Sequence, residues 1–155
     1  MKTNDHPERK RLSHEIPFWA RDDSLYFITI CCDPRGQNQL CHTEVAKRIF
    51  ESIVFRNETD AWHMRLCVLM PDHVHVLVSF PHEASMKRVV SSWKERLAKQ
   101  CGVNWQRDFF DHRLRGDEGY LEKANYIREN PVRKGLIVSA DAWPYKWEEN
   151  STGSR

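Results

Sequence analysis

Hydrophobic and polar positions alternate along the chain in segments that predict strands and helices in turn. The run Leu25–Cys32 is rich in aromatic and β-branched residues and stops at Asp33 and Pro34, which is typical of a strand. Apolar residues then recur at helical spacing as far as Val54, after Thr43, a residue type that suits an N-cap. The pattern predicts a first strand followed by a helix.

Two apolar runs in the middle of the chain, Trp62–Met70 and His73–Phe80, are separated by only two residues and predict a β-hairpin. Both runs are apolar at most positions, as expected for strands that are covered on both faces. We therefore place them in the centre of the sheet. An amphipathic helix is predicted over Ala84–Gln100, and Gly102 is expected to end it.

The last third of the chain completes the predicted fold. Trp105–Arg115 predicts a short strand, and Asp117–Asn130 predicts a third helix, which ends because the residue before Pro131 avoids the helical region. The order β-α-β-β-α-β-α predicts a ferredoxin-like βαββαβ sandwich of the α+β class, with helices packed on an antiparallel sheet. The appended C-terminal helix carries a tyrosine.

Length and charge limit the organisation to one domain without a strongly basic character. The 155 residues suit one core, which we assign to residues 21–138, between a flexible basic arm at 1–20 and an aromatic tail at 139–155 whose end is expected to be disordered. Lysine and arginine number 24 against 22 acidic residues, so any surface that binds nucleic acid must be local.

Cysteine usage and hydropathy indicate the compartment. The five cysteines form no CxxC pair, and no N-terminal apolar run predicts a signal peptide or a membrane span. We expect a protein of the reducing cytoplasm with no membrane partner.

His73 and His75 are the first candidate for chemistry. They are separated by one residue within a predicted strand, so their side chains point to the same face, while Val74 and Val76 point to the other. Two imidazoles can share one metal ion whose remaining ligands are oxygen atoms. The residues alone also allow a histidine pair that merely packs or meets solvent.

The predicted third helix supplies the second candidate. At 100° per residue, one stripe contains Tyr120, Leu121, Ala124 and Ile127, and the far side contains Glu122, Tyr126 and Asn130. Tyr126 and Asn130 lie one turn apart and can address the same point, which suits a nucleophile and a ligand. A tyrosine that packs under the C-terminal tail is the alternative.

These motifs together resemble the single-tyrosine HUH transposases, and more closely the REP-associated tyrosine transposases of the IS200-like group. The resemblance rests on MPDHVHVLV at 70–78, FFDHRLR at 109–115, YIRENPVRKGL at 126–136 and WPYKW at 143–147. It covers about residues 20 to 147, and the order and spacing of the motifs make it specific.

The resemblance implies a metal-dependent endonuclease that cleaves one DNA strand and stays attached through a 5′-phosphotyrosine. Carried over to this sequence, His73, His75 and Asn130 become ligands of a divalent ion, Mg²⁺ or Mn²⁺, and Tyr126 becomes the nucleophile. A phenol is protonated at neutral pH, so a neighbour must help to deprotonate it, and Glu122, one turn earlier, is the expected helper.

The expected partner is single-stranded or hairpin DNA in the nucleoid. The residues expected to contact it are Arg113, Arg115, His112, Arg128, Arg133 and Lys134. The second helix also carries Lys87, Arg88, Lys94, Arg96 and Lys99, a set that is usually a solvated helix face. The resemblance to the REP-associated group favours a monomer, and a homodimer stays open.

Two other functions remain open from the sequence. One is a metallo-phosphodiesterase without a covalent tyrosine, although no second His-x-His motif is present. The other is a domesticated DNA- or RNA-hairpin-binding module that has lost turnover, since retained residues do not prove activity and the tail at 143–147 could block the site.

Overall fold

A computed structural model describes residues 25–149, apart from the side chains of residues 116–118. The predicted arm at 1–20 and the very end of the tail lie outside this range. The elements are β1 (Leu25–Cys31), α1 (Thr43–Glu58), β2 (His63–Met70), β3 (His73–Ser79), α2 (Met86–Cys101), β4 (Phe110–Arg113), α3 (Gly116–Arg128), α4 (Asn130–Arg133) and β5 (Lys146–Glu148).

The five strands form one antiparallel sheet in the order β4-β1-β3-β2-β5. The central strand β3 pairs with β1 on one side and with β2 on the other, and almost every residue of β2 and β3 is buried. The α+β class and the central position of the two apolar strands are therefore confirmed.

The two faces of the sheet are covered by different helices. Val74, Val76 and Val78 are buried on one face, in the same core as the apolar stripes of α1 and α2. The indole of Trp93 in α2 donates a 2.8 Å hydrogen bond to Ser52 Oγ in α1, which ties these helices together. The other face carries the histidines and lies beneath α3.

The predicted end of α2 is confirmed, whereas the predicted cap of α1 is not. Ser85 caps α2 by accepting a bond from the Arg88 amide, and Gly102 ends it at φ 73°, a conformation that favours glycine. In α1, however, the N-cap is His42 and Thr43 is already helical. No helix in the described range is long and apolar enough to cross a membrane.

Strand β4 is shorter than the predicted Trp105–Arg115 and covers only Phe110–Arg113. Trp105 makes one isolated bridge to Cys32. The buried Lys94 ammonium binds the carbonyls of residues 106, 107 and 108 at 2.8, 3.2 and 3.3 Å. Because these carbonyls point at Lys94, this stretch loops out of the sheet.

The end of α3 also differs from the prediction. The helix stops at Arg128, and after one turn residue the chain forms the one-turn helix α4, which contains both Asn130 and Pro131. The prediction that the residue before Pro131 avoids the helical region was wrong, because a proline is tolerated in a first turn, where its missing N–H has no partner to lose. Leu121, expected in the core stripe, is 58% exposed.

The C-terminal tail adds an edge strand that the pattern does not predict. Lys146–Glu148 pairs with β2, and the indole of Trp143 donates a 3.0 Å hydrogen bond to the Leu69 carbonyl. The tail therefore covers β2, which would otherwise be an unpaired edge.

The five free cysteines should differ sharply in reactivity. Burial raises the pKa of Cys32 and Cys41 to about 12, and it raises that of Cys67 as well. Burial raises the pKa of Cys101 too, but Cys101 is partly exposed while the other four cysteines are buried. Because a reagent must reach the thiolate, we expect only Cys101 to react readily in the folded protein. Cys101→Ser should remove that fast phase, and a second fast thiol would contradict this packing.

Candidate active site

His73 and His75 lie side by side on the sheet face beneath α3, as the strand alternation predicts. Their ring centroids are 4.7 Å apart and the rings are nearly perpendicular, at 77°. Only part of each ring reaches the surface, since His75 is 7% exposed and the His73 side chain 12%. The pair is thus held at the rim of the core.

Both imidazoles are fixed through the same nitrogen. His75 Nδ1 lies 3.0 Å from Thr29 Oγ1, and His73 Nδ1 lies 2.9 Å from a carboxylate oxygen of Asp72. Neither Nε2 atom has a hydrogen bond to any residue in the range the structure describes. Histidine ligands of metals characteristically use one nitrogen for the metal and the other for such a partner.

Asp72 is itself held in place by the loop that follows β1. Arg35 Nε donates to its carboxylate at 2.9 Å, and the Gly36 amide donates at 2.7 Å. Burial alone would raise the pKa of Asp72, but the hydrogen bonds from Arg35, His73 and Gly36 hold it far below the ordinary value. Asp72 is therefore a permanent anion that orients the His73 ring.

Both histidines are neutral at physiological pH. Burial lowers the pKa of His75 to about 3, and the neighbouring His73, Lys123 and Lys134 add to the effect. Burial also lowers the pKa of His73, although Asp72 partly opposes it. A neutral imidazole offers the lone pair that a metal ligand requires.

The residues around the pair fit a divalent ion that accepts oxygen ligands. No group of three or more His, Cys, Asp or Glu side chains suited to a metal occurs within residues 25–149. Asn130, whose amide oxygen could complete the set, is the predicted further protein ligand. It is 4% exposed and starts α4, whose C-cap Lys134 is close enough to act on the charge of both histidines.

Tyr126 lies on the exposed side of α3, 48% exposed, between two cations. The Lys123 ammonium is 5.3 Å from its ring centroid, and the Arg133 guanidinium carbon is 4.5 Å from it. Lys123 also lies 4.9 Å from the Phe27 ring, which is 5.4 Å from the His75 ring. A continuous row of contacts thus joins the phenol to the histidines.

Lys123, Thr29 and Asp72 are site residues that the sequence reasoning missed. For Lys123 a signal existed, because it precedes Tyr126 by three positions and such residues are neighbours on a helix. Glu122, the predicted helper of Tyr126, is exposed, and no hydrogen bond joins it to the phenol within the described residues. Its role stays a prediction.

The residues of β4 predicted to contact DNA separate onto different surfaces. His112 is paired with Phe27 and so shares the face of the histidines, whereas Arg113 is paired with Tyr26 and points to the opposite face. Arg115 is exposed at the N-cap of α3. His112 is therefore the member of this group on the same face as the His pair.

The three cations that follow Tyr126 are partly engaged within the fold. Arg128 binds Glu148 of β5 and, at 3.2 Å, the side chain of Asn125. Arg133 donates to the Tyr126 carbonyl and covers its ring. Arg128 fastens α3 to β5, while Arg133 and Lys134 flank the site.

The family model described as "Transposase IS200 like" matches residues 23–121. The chain belongs to the IS200-like transposase family. The matched segment contains His73 and His75 on their strand and ends before Tyr126, so the role of Tyr126 stays a prediction.

Relatives of this IS200-like transposase include proteins of the REP-associated group. A Haemophilus influenzae protein described as a REP-associated tyrosine transposase is 28% identical over 144 residues, which cover 78% of this chain and 77% of the relative. The REP-associated tyrosine transposase of Escherichia coli K12 is 29% identical over 93 residues, which cover 57% of this chain and 52% of that protein.

Solved structures confirm the fold of this IS200-like transposase. A REP-associated tyrosine transposase bound to a REP hairpin superimposes with a TM-score of 0.69 at 18% identity, over 93% of this chain and 82% of that one. A Deinococcus radiodurans protein described as a transposase gives a TM-score of 0.51 at 15% identity, over 83% of this chain and 97% of that one.

Proposed function

We propose that the protein is a metal-dependent endonuclease that cleaves and rejoins single-stranded, hairpin-bearing DNA through a 5′-phosphotyrosine on Tyr126. The observation that carries the proposal is the row of contacts from the exposed phenol through Lys123 and Phe27 to His75. Membership in the transposase family and a fold shared with a hairpin-bound relative support DNA as the substrate. In this proposal the protein acts as a monomer in the cytoplasm, at the nucleoid.

His73, His75 and Asn130 would hold the divalent ion, Mg²⁺ or Mn²⁺. Such an ion would polarise the scissile phosphate and stabilise the charge that develops on it. Thr29 and Asp72 contribute by binding each imidazole at Nδ1, so that Nε2 is the nitrogen that remains for the ion. The Asp72 carboxylate can only accept, so His73 donates from Nδ1 and keeps its lone pair on Nε2. Donation from His75 Nδ1 to Thr29 Oγ1 would leave the His75 Nε2 lone pair available in the same way, which would reduce the ordering required on binding.

The chemical step is a transfer between two oxygen atoms. Tyr126 Oη forms a bond to phosphorus while the bond from phosphorus to the 3′ oxygen breaks, and that oxygen takes up a proton and leaves as a hydroxyl group. The phenolic proton passes to a base, for which we propose Glu122. Attack by a 3′ hydroxyl on the phosphotyrosine reverses the step, so rejoining needs no external energy source.

Lys123 and Arg133 are suited to bind the phosphodiester beside the phenol. Both cations lie within 6 Å of the Tyr126 ring, where a phosphate approaching Oη would meet them. Charge-assisted contacts to phosphate are among the stronger hydrogen bonds in proteins. We therefore infer that these two residues position the scissile phosphate so that Tyr126 Oη attacks in line with the departing 3′ oxygen.

A cleavage assay tests the proposal. An end-labelled hairpin with single-stranded flanks is incubated with the protein in Mg²⁺, in Mn²⁺ or in EDTA. We expect metal-dependent cleavage that leaves one fragment with an extendable 3′ hydroxyl and the other bound to protein. Tight binding without cleavage would favour a silent binding module, and a free 5′ phosphate would favour a metallo-phosphodiesterase.

The positioning of His75 predicts an effect on metal affinity. Thr29→Val keeps the shape of the side chain but removes the oxygen that contacts Nδ1, so we expect Mn²⁺ affinity to fall about 10- to 100-fold, the usual effect of losing such a partner. Thr29→Ser is the matched control and should stay near wild type. Isothermal titration calorimetry measures both, and equal affinities would show that Thr29 does not orient His75.

A further inference from the structure

The outer surface of the α1 and α2 layer carries a groove that the proposed active site does not use. Its volume is about 290 Å³. The main lining residues are Arg48, Glu51, Phe55 and Arg56 from α1 and Arg96 and Gln100 from α2. Since α1 and α2 cover the valine face of the sheet, the sheet separates this groove from the histidines.

Positive charge is concentrated in the groove. It has three guanidinium groups against the single carboxylate of Glu51, and none of the three arginines forms an ion pair within residues 25–149. Burial and the nearby Arg96 both lower the pKa of Arg56, as expected for cations held close together. This concentration of positive charge suits an anionic ligand.

The other basic residues of α2 behave differently. Lys94 is buried and binds three carbonyls, and Lys99 lies 3.9 Å from Glu95. Of the five basic residues predicted on α2, only Arg96 lines the groove together with Arg48 and Arg56 of α1. The groove is therefore a local feature built from two helices, and it differs from the evenly solvated face that the sequence of α2 suggests.

An exposed aromatic ring lies in the same groove. Phe55 is 62% exposed, which is unusual for a phenylalanine. Arg56 next to it is held in place, over the Trp62 ring at 5.7 Å and 3.5 Å from Ser92 Oγ. An exposed aromatic ring among arginines is the combination that single-strand binding surfaces use, with bases stacked on the ring and phosphates on the cations.

We propose that the groove between α1 and α2 binds the unpaired strand that flanks the hairpin, with phosphates on Arg48 and Arg96 and a base on Phe55. The inference rests on the proposed function, which makes DNA the substrate. An acidic protein segment would match the charge but would not need a stacking ring. Because the sheet lies between the groove and Tyr126, only a flank long enough to pass around the molecule can reach both.

Binding measurements on the full chain in EDTA test the groove without cleavage. The probes are one hairpin alone and the same hairpin with flanks of about 5, 10 and 20 nucleotides, which bracket the ~4–16 nucleotides that single-strand binding folds cover. The variants are Arg48→Gln combined with Arg96→Gln, and separately Phe55→Ala. Arg88→Gln is the matched control, since Arg88 is an exposed arginine of α2 outside the groove.

For the longer flanks we expect the double variant to reduce the slope of log K against log salt by about 1.4, or about 0.7 for each lost phosphate contact. Phe55→Ala should weaken binding of the same probes about tenfold without changing the slope. The hairpin alone and Arg88→Gln should match wild type. Circular dichroism confirms that each variant is folded.

Several results would overturn the groove proposal. One is a double variant that behaves like Arg88→Gln, and another is an equal loss of affinity for the hairpin alone. A change in oligomeric state with unchanged DNA binding would mark the groove as a protein contact instead. Because no measurement here needs cleavage, a protein that binds flanks through the groove but forms no adduct would refute only the proposed nuclease activity.

Discussion

Tyr126→Phe should abolish both strand cleavage and the covalent protein–DNA product, while affinity for the hairpin stays at the wild-type level. The substitution removes one oxygen atom and keeps the ring that Lys123 and Arg133 contact, so the surface that meets DNA is preserved. Without a hydroxyl group no bond to phosphorus can form. Gel separation under denaturing conditions measures the product, and fluorescence anisotropy measures the affinity.

Tyr120→Phe is the matched control for this substitution. Tyr120 lies on the same helix, less exposed, with the Arg65 guanidinium 5.4 Å from its ring. It should retain full cleavage. If Tyr126→Phe still produced the covalent product, or if Tyr120→Phe lost it, the nucleophile would have been misassigned.

His75→Ala should weaken Mn²⁺ binding by more than about 100-fold and reduce cleavage accordingly. Loss of a hydrogen-bonding partner of a ligand already weakens metal binding about 10- to 100-fold, and loss of the ligand itself removes a bond to the ion. His82→Ala, at an exposed position outside the site, is the control. Calorimetry at neutral pH is suitable because burial keeps His75 uncharged there.

Unchanged Mn²⁺ affinity in His75→Ala would contradict the proposed ligand set. Because His75 contacts Thr29 and the Phe27 ring, its removal also affects packing, so thermal unfolding must show that the variant remains folded. A double variant that combines His73→Ala with His75→Ala should show no Mn²⁺ binding. Its signal should equal the background that His82→Ala gives when EDTA removes the metal. Binding that survived in the folded double variant would place the metal elsewhere.

The features that could be predicted from the sequence are those that a local period determines. The shared face of His73 and His75 follows from the two-residue repeat of a strand. The exposure of Tyr126 and the burial of Ala124 and Ile127 follow from the helical repeat. Neither prediction requires knowledge of contacts between residues that are distant in the sequence.

The parts that could not be predicted depend on distant contacts. Thr29 meets His75 across 46 residues, and Arg35 meets Asp72 across 37, so no local pattern reveals that they orient the imidazoles. The loss of strand structure after Trp105 depends on the buried ammonium of Lys94. From the sequence alone, Lys94 is predicted to be a solvated residue of the helix surface.

The edge strand β5 is a further case in which packing outweighs pattern. Three residues carry too little alternation to predict a strand, yet Trp143 and the Arg128–Glu148 ion pair hold the tail against β2 and α3. The same contacts place the tail beside the tyrosine helix. An aromatic cluster in a C-terminal tail can therefore indicate a strand that closes a sheet.

Mass spectrometry of the covalent product tests the central claim most directly. Trypsin separates the four tyrosines, because Tyr126 falls in the peptide Ala124–Arg128 and Tyr120 in the peptide 116–123. We expect the nucleotide mass on Ala124–Arg128 alone, only when Mg²⁺ or Mn²⁺ is present. Nucleotide on any other tyrosine peptide, or none on a protein that cleaves DNA, would contradict the assignment of Tyr126 as the nucleophile.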